Sequence, residues 1–212
     1  FLLKINLLNM KSKQIILFSG NSRLIIENIN SLKNTLNHEN SQIIFALWKN
    51  DNKVELVIRK LQNNFKNFHY KLINPRKHLW ENITDNFTGF YGNDFKKVLF
   101  QYDAMQQVMD FAEEKIPQNN VEDVWCRSRG DLYVDKFKIK KEYTEGLYVP
   151  GTKFGIGYTD YFAVAKREYM RVYCDLIDTI IELLKFNILL TSEIVLAIHL
   201  NRKGIPVIID KD

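Results

Sequence analysis

The chain has 212 residues, 46% of them hydrophobic and 26% charged, with only 4 Pro and 9 Gly, a balance that is typical of one folded domain and excludes a disordered chain. The net charge of +5 favours an anionic partner, which leaves nucleic acid, nucleotide phosphates and an anionic membrane surface open. No apolar run reaches the roughly 18 residues that a membrane-spanning helix needs.

The first third of the chain predicts strands that alternate with helices. Short apolar runs at 14–18, 41–48 and 70–73 indicate strands. Apolar residues at helical spacing over 23–37 and 54–65 indicate the two helices between them. The order strand, helix, strand, helix, strand is typical of a parallel sheet covered by helices.

The rest of the chain continues this α/β pattern after an Asn-rich, aromatic region at 74–93, which is predicted as a loop. The longest helical pattern covers 94–115. Further strands are predicted at 123–135, 147–149, 161–164 and 205–209, and further helices at 168–184 and 192–202. Because no repeat or break in composition divides the chain, residues 13–212 are predicted to form a single α/β domain.

The start of the chain and the cysteines bear on processing and location. Met10 followed by Lys-Ser-Lys has the features of a natural start, so residues 1–12 are expected to be an N-terminal extension, for which disorder is one expectation. Their apolar run lacks a small-residue cleavage site, so no signal peptide is expected. Cys126 and Cys174 have neither disulfide-framework nor zinc spacing, which indicates a reducing, cytoplasmic compartment.

A glycine-containing loop follows the first predicted strand and reads Ser19-Gly20-Asn21-Ser22-Arg23. In open α/β sheets, ligands bind beyond the carboxyl ends of the strands. A glycine there lets backbone N–H groups approach a phosphate at the start of the following helix. The loop is neither a Walker motif nor Gly-x-Gly-x-x-Gly. It predicts nucleotide or diphosphate binding by Ser19, Gly20, Asn21 and Arg23, and a plain turn capped by Ser22 is the alternative.

The most informative segment is 123–135, in which Arg127, Arg129 and Asp131 occupy alternate positions. Alternate side chains of a strand share one face. Arginine binds phosphate through paired N–H groups, and an aspartate at a strand end can hold Mg²⁺ or Mn²⁺. Such a face is poorly suited to a core, so an open phosphate and metal site is expected. A buried Arg–Asp pair that ties strand to helix is the alternative.

Two acidic residues are candidates for contacts with a sugar or an acceptor. Asp160 follows a glycine-containing loop at 151–157 that suits closure on a sugar, although Asp160 could also bond only its local backbone. Glu193 follows Ser192, a predicted helix cap, and is a candidate general base, although the helix dipole alone accounts for an acid there. The 4 scattered His have no metal spacing and are expected on the surface or in loops.

The order of these motifs resembles a known family. The series is Ser-Gly-Asn-x-Arg after the first strand, a strand ending in Trp48, Arg-Ser-Arg-Gly-Asp-Leu after the long helix, Asp160-Tyr-Phe-Ala, and Ser-Glu193 with a helix ending in Arg-Lys-Gly-Ile-Pro-Val. It resembles the WavE-like family of lipopolysaccharide-synthesis glycosyltransferases. It also resembles the small GT-A glycosyltransferase domains with which large DNA viruses decorate their capsid glycans.

The resemblance implies a GT-A nucleotide-diphospho-sugar transferase fold, in which a mixed, mostly parallel sheet lies between helices. It implies transfer of a sugar from a nucleoside-diphosphate donor to a glycan hydroxyl with Mn²⁺ or Mg²⁺, in bacterial or virus-infected host cytosol. Membership of a larger multidomain enzyme is left open. Asp131 would hold the metal alone, where such families usually have Asp-x-Asp. Arg127 and Arg129 would stabilise the leaving diphosphate, and Asp160 and Glu193 would face sugar and acceptor, one of them as base.

Other functional classes are left open by the residues themselves. A nucleotidyltransferase or phosphohydrolase could use the same phosphate-binding elements on a similar sheet. The basic balance also fits a nucleic-acid-binding module, which would gather Lys and Arg on one face. In this chain the basic residues are interspersed with acids along every segment, so no nucleic acid is expected as a partner.

Overall fold

The structure is a computed structural model that describes residues 13–20, 25–27, 29, 41–84, 95–117, 123–129, 143, 145–153, 156–186 and 191–209. Its centre is a seven-stranded sheet with the strand order β3-β2-β1-β4-β8-β5-β9, and β6 and β7 form a separate two-stranded hairpin. The strands are β1 Gln14–Gly20, β2 Ser41–Trp48, β3 Phe68–Ile73, β4 Val124–Arg129, β5 Leu147–Val149, β6 Thr152–Lys153, β7 Gly157–Tyr158, β8 Phe162–Ala165 and β9 Val207–Ile209.

The main sheet is mixed and mostly parallel. β1 is parallel to both β2 and β4, and β2 is parallel to β3. β8 is antiparallel to β4 and to β5, whereas β5 and β9 are parallel. In register, Ser19 lies opposite Ala46 on one side and Arg129 on the other. The carboxyl ends of β1, β2 and β4 therefore lie together at one edge of the sheet.

Helices cover the sheet and connect its strands. They are α1 Val54–Asn64, α2 Glu81–Thr84, α3 Phe95–Lys115, α4 Arg167–Cys174, α5 Ile177–Lys185 and α6 Ser192–Arg202, with a 3₁₀ turn at Lys77–Leu79. In the part of the chain that the structure describes, no helix is long and apolar enough to span a bilayer.

Two apolar cores lie on opposite faces of the sheet because successive strand side chains point to opposite sides. Ile15 and Leu17 of β1 belong to the larger core, which includes buried residues of α3, α4, α5 and α6. Ile16 and Phe18 belong to the smaller core, which includes residues of α1 together with Ile25. The runs that looked wholly apolar in the sequence are thus strands buried on both faces, as parallel sheets require.

The predicted α/β order is confirmed, and three local predictions are wrong. The helix predicted over 168–184 is divided into α4 and α5 at Asp175, whose backbone N–H donates to the carbonyl oxygens of Arg171 and Val172. The region at 74–93, predicted as loop, contains the 3₁₀ turn and α2 among its described residues. His199 is not at the surface but is 2% exposed within the core.

The predicted helix at 23–37 is described only in part. Residues 25–27 and 29 are helical, and Ile25 and Ile29 are buried on the β1 side as the apolar spacing predicts. The remaining residues of that prediction, and the N-terminal extension at 1–12, lie outside the described residues.

Candidate active site

Asp160 is the centre of a polar cluster at the carboxyl end of β4. Asp160 is 7% exposed, and its carboxylate oxygen Oδ2 accepts hydrogen bonds from the Tyr102 hydroxyl at 3.0 Å and from Gln101 Nε2 at 3.1 Å. Both donors come from the second turn of α3. Because each carboxylate oxygen has two lone pairs and these two bonds use only Oδ2, the geometry leaves Oδ1 able to accept a bond from a ligand hydroxyl.

Arg127 approaches the same residue from the sheet. Its Nη1 donates to the main-chain oxygen of Asp160, and the whole residue is 0% exposed. The expectation that the Arg-x-Arg face of β4 is open to solvent is therefore wrong for Arg127. The physical reason is that this face, which it shares with Trp125, packs against the helices of the larger core. The alternative of a buried Arg–Asp pair that ties strand to helix is met only in part. Arg127 is buried and bonds an aspartate, but it does so through the main-chain oxygen of Asp160, which lies before β8 and not on a helix.

Tyr102 also connects the cluster to the start of α6. Its hydroxyl oxygen lies 3.4 Å from the main-chain oxygen of Ser192, so the first turn of α6 is adjacent to Asp160. Glu193 lies in this turn and is 8% exposed, with its Oε2 accepting from the Ser192 hydroxyl at 3.2 Å. The two acids predicted from the sequence are thus brought to one neighbourhood through a residue that the sequence did not single out.

The start of α6 is fixed by a cap and by a close backbone contact. Thr191, and not Ser192 as predicted, is the N-cap, since its side chain accepts from the Ile194 N–H at 3.4 Å. A Cβ added at Gly157 of β7 would lie 2.9 Å from the carbonyl carbon and Cβ of Glu193. The β6–β7 hairpin therefore lies directly on the Glu193 backbone, and only glycine permits that approach.

The carboxyl end of β1 supplies the second part of the site. Gly20 has a φ of +104°, a conformation that favours glycine. The Ser19 Oγ atom is buried and has no hydrogen-bond partner among the described residues. A buried hydroxyl without a partner is uncommon in a core and suggests a role toward a ligand. Arg129 lies opposite Ser19 and is half-buried.

An indole borders this end of β1. Trp48 at the end of β2 places its Nε1 4.0 Å from where a Gly20 Cβ would be. Its ring is fixed edge-to-face against Phe100 of α3, with centroids 6.1 Å apart, and Phe100 also contacts Trp80. The carboxyl ends of β1 and β2 are therefore bordered by packed aromatic rings.

The structure brings together six of the predicted site residues, with Arg127 buried beneath the others: Ser19, Gly20, Arg127, Arg129, Asp160 and Glu193. Asn21, Arg23 and Asp131 lie outside the described residues, as does Ser22. Sequence reasoning missed Gln101 and Tyr102. A signal for Tyr102 was present, because it shares a helical stripe with Val98 and Met105, and a buried tyrosine hydroxyl needs a hydrogen-bond partner.

Burial sets the protonation states around Arg127. The pKa of Tyr102 is raised well above its ordinary value, first by burial and then by the charge of Asp160, so its hydroxyl remains a hydrogen-bond donor. Burial also raises the pKa of Cys126, and it raises that of Cys174 to about 12. Both thiols are therefore protonated at neutral pH, which makes neither a nucleophile.

A separate cavity of about 480 Å³ opens between β7 and α6, and Ile156, Tyr158 and Ile194 are among its lining residues. Among the residues that the structure describes, its lining contains neither Asp160 nor Ser19 and no charged side chain. It is therefore unsuited to phosphate, and the polar cluster remains the better candidate for chemistry.

Comparisons with known proteins bear on the fold. No family model and no curated protein matches this sequence. The chain is similar to the apo form of the glycosyltransferase GlyE of Streptococcus pneumoniae, with a TM-score of 0.54 and 16% identity, over 93% of this chain and 45% of GlyE. It thus spans less than half the length of that structure.

Two further solved structures are similar at a lower level. They are 4-diphosphocytidyl-2C-methyl-D-erythritol synthase (TM-score 0.45, 10% identity, 96% of this chain and 90% of that one) and the PaToxG glycosyltransferase (TM-score 0.45, 12% identity, 91% and 69%). Similarity at this level carries no argument about function. The mixed, mostly parallel sheet between helices, together with the likeness to GlyE, gives the expected α/β fold of the GT-A glycosyltransferase type.

Proposed function

We propose that this chain is a glycosyltransferase that moves a sugar from a nucleoside-diphosphate donor to a hydroxyl group of a glycan or glycoconjugate. The observation that carries the proposal is the Asp160 carboxylate, whose Oδ2 accepts from Tyr102 and Gln101 at the carboxyl edge of the sheet. A preorganised acid at this edge suits contact with a sugar hydroxyl. The GlyE-like fold supports the same reaction class.

The donor side is assigned to the end of β1 and its register partner on β4. The Ser19 hydroxyl and the backbone at Gly20, with Asn21 and Arg23, bind the nucleotide or its diphosphate. The guanidinium of Arg129 stabilises the negative charge that develops on the leaving diphosphate. Unlike Arg127, Arg129 is half-buried and so can reach a ligand.

The acceptor side is assigned to Asp160 and Glu193. In the transfer step the acceptor oxygen forms a bond to the anomeric carbon, the bond from that carbon to the diphosphate oxygen breaks, and the nucleoside diphosphate leaves with the bonding electrons. The proton of the acceptor hydroxyl passes to one of the two carboxylates. The other accepts a hydrogen bond from a hydroxyl of the transferred sugar.

A divalent metal is part of the proposal only through Asp131. Among the residues that the structure describes, no three His, Cys, Asp or Glu side chains come together as a metal site, so no step is assigned to a metal. If Mn²⁺ or Mg²⁺ is used, Asp131 is the residue proposed to hold it, and the metal would neutralise the diphosphate.

The finer assignments rest on sequence resemblance alone. They are membership of the WavE-like or viral glycosyltransferase group and lipopolysaccharide or capsid glycan as the product. A cytoplasmic location is proposed from the cysteine spacing. Because the chain spans 45% of GlyE, action as part of a larger multidomain enzyme is also a proposal.

The test is a panel of UDP-, GDP- and dTDP-sugars, each with and without Mn²⁺, scored by thermal shift and by release of nucleoside diphosphate. A donor at a hundredfold excess over its Kd stabilises the protein by about 2.7 kcal/mol. Asp160→Asn should abolish transfer, and Asp178→Asn, at an exposed position on α5, is the matched control.

Three results would contradict the proposal. Release of pyrophosphate would indicate a nucleotidyltransferase, and release of inorganic phosphate would indicate a phosphohydrolase. Salt-sensitive binding to random DNA or RNA without nucleotide-sugar affinity would indicate a nucleic-acid-binding module.

A further inference from the structure

Arg127 occupies a core position that stability alone does not explain. In the sheet it lies between Leu17 of β1 and Ala163 of β8, and it is 0% exposed. An apolar side chain of similar length would fill such a position without the cost of removing a guanidinium from water. A buried arginine that is not required for packing therefore calls for another role.

Among the described residues, the hydrogen bonds of the Arg127 guanidinium are incomplete. Its Nη1 donates to the Asp160 main-chain oxygen. Its Nε and Nη2 and the Tyr173 hydroxyl lack a hydrogen-bond partner among the described residues. The Tyr173 hydroxyl faces the guanidinium closely enough for the arginine to lower the pKa of Tyr173, against the larger effect of burial. Unpaired buried polar atoms are destabilising, so this arrangement favours function over stability.

Asp160 is consequently fixed from two independent elements. From β4, Arg127 fixes its main chain, and from α3, Gln101 and Tyr102 fix its carboxylate. The positive charge of Arg127 also lies near that carboxylate, since both act on the pKa values of Tyr102 and Tyr173. The guanidinium thus orients and electrostatically supports the acid without any exposed atom that a ligand could contact.

We propose that Arg127 is a positioning residue for Asp160, and that it does not bind the donor diphosphate. The inference rests on the proposed glycosyl transfer, in which Asp160 faces the sugar or the acceptor. Arg127 acts through Asp160 and therefore affects the rate of transfer, whereas Arg129 affects the affinity for the diphosphate.

The experiment compares Arg127→Met, Arg127→Lys and Arg129→Met with the unmodified chain. Tyr173→Phe is the control, since it removes a buried hydroxyl that faces the same guanidinium and makes no hydrogen bond to Asp160. Nucleoside-diphosphate affinity is measured by calorimetry, kcat by product release and folding by thermal unfolding. Arg127→Met should lower kcat about 100-fold, the effect of misplacing a reacting group by about 1 Å. It should leave the nucleoside-diphosphate affinity unchanged. The unfolding midpoint should be the same or higher.

Arg127→Lys retains the positive charge and a nitrogen that can donate hydrogen bonds, so it should recover part of kcat. It also serves as the test if the Met variant does not fold. Arg129→Met should weaken nucleoside-diphosphate binding, and Tyr173→Phe should match the unmodified chain. Weaker diphosphate binding in either Arg127 variant, or a normal kcat in both, would overturn the positioning role alone. If the unmodified chain neither binds nucleoside diphosphates nor transfers sugar, the proposed function fails, and the role of Arg127 fails with it.

Discussion

Replacing Gly157 by alanine should separate the β6–β7 hairpin from the start of α6. The added Cβ would lie 2.9 Å from the carbonyl carbon and Cβ of Glu193 and 3.0 Å from the Ile194 nitrogen. These neighbours are mostly backbone and cannot rotate away, so the strand or the helix must shift. Overpacking of this kind costs about 1–3 kcal/mol.

Gly151→Ala is the matched control for this substitution. The nearest atom to a Cβ at Gly151 is the Thr159 Cγ2 at 4.0 Å, an ordinary contact. There, alanine should stabilise the fold by about 0.4–1 kcal/mol, because it restricts the unfolded chain. The two variants should therefore differ by about 2 kcal/mol.

Urea and thermal unfolding of both variants would measure this difference. For a chain of this size, about 2 kcal/mol corresponds to an unfolding midpoint about 4–8 °C lower for Gly157→Ala than for Gly151→Ala. Because the shifted backbone belongs to Glu193, transfer activity should fall in the Gly157 variant only. Equal stability of the two variants would refute the close contact between β7 and α6.

Three further predictions follow from buried polar groups. Asp103→Ala removes a carboxylate that is 0% exposed and leaves Arg76, which is 31% exposed, without this partner, so the free energy of unfolding should fall by about 2–3 kcal/mol. The control is Asp110→Ala, whose carboxylate is 47% exposed and which should cost less than about 1 kcal/mol in the same denaturation assay. Burial lowers the pKa of His199 below its ordinary 6.5, so the unfolded chain binds the proton at a higher pH than the folded chain does. The free energy of unfolding should therefore keep its full value above pH 6.5 and fall as the pH decreases through the lower folded-state pKa. His199→Gln should remove this pH dependence, and its persistence in the variant would contradict a neutral His199. Tyr102→Phe removes one of two donors to the Asp160 carboxylate and should reduce transfer about tenfold, and unchanged kinetics would argue against that bond having a role in transfer.

The fate of the β4 segment shows what the sequence could and could not establish. The sequence predicted a strand within 123–135, which is confirmed over Val124–Arg129. Alternation placed Arg127, Arg129 and Asp131 on one face, and Asp131 lies outside the described residues. Alternation could not tell what covers that face, because α4, which packs against β4, is distant in sequence. The Arg127 bond to Asp160 joins residues 33 positions apart. Whether a strand's polar face is open or buried is therefore a tertiary property.

The helix break at Asp175 has the same origin. Nothing in the apolar spacing over 168–184 interrupts a helix, so local reasoning predicts one continuous helix. In the structure the Asp175 carboxylate accepts from Arg171 Nε at 3.0 Å and from Gln106 Nε2 at 3.0 Å. Gln106 lies on α3, 69 positions earlier. A partner that is distant in sequence thus helps to stabilise the break between α4 and α5, which local helix propensity does not specify.

His199 illustrates a residue type that sequence reasoning places poorly. A lone histidine in a helix has no pattern that separates a surface position from a core position. Its Nε2 donates to the Val172 carbonyl oxygen at 2.8 Å, and its Nδ1 lies 2.7 Å from the Thr179 hydroxyl. These bonds join α4, α5 and α6 around a neutral imidazole. The imidazole can be buried there only because the three packed helices supply partners for both of its nitrogens.

The reversed direction of β8 has a consequence for how such a site can diversify. Asp160 precedes the amino end of an antiparallel strand, and Ser19 lies near the carboxyl end of a parallel one, yet both lie at one edge of the sheet. Away from Gly157, the segment leading into β8 can therefore change in sequence while β1 remains as it is. In the proposed transfer, the half of the site that binds the donor would stay constant while the half that binds the acceptor changes.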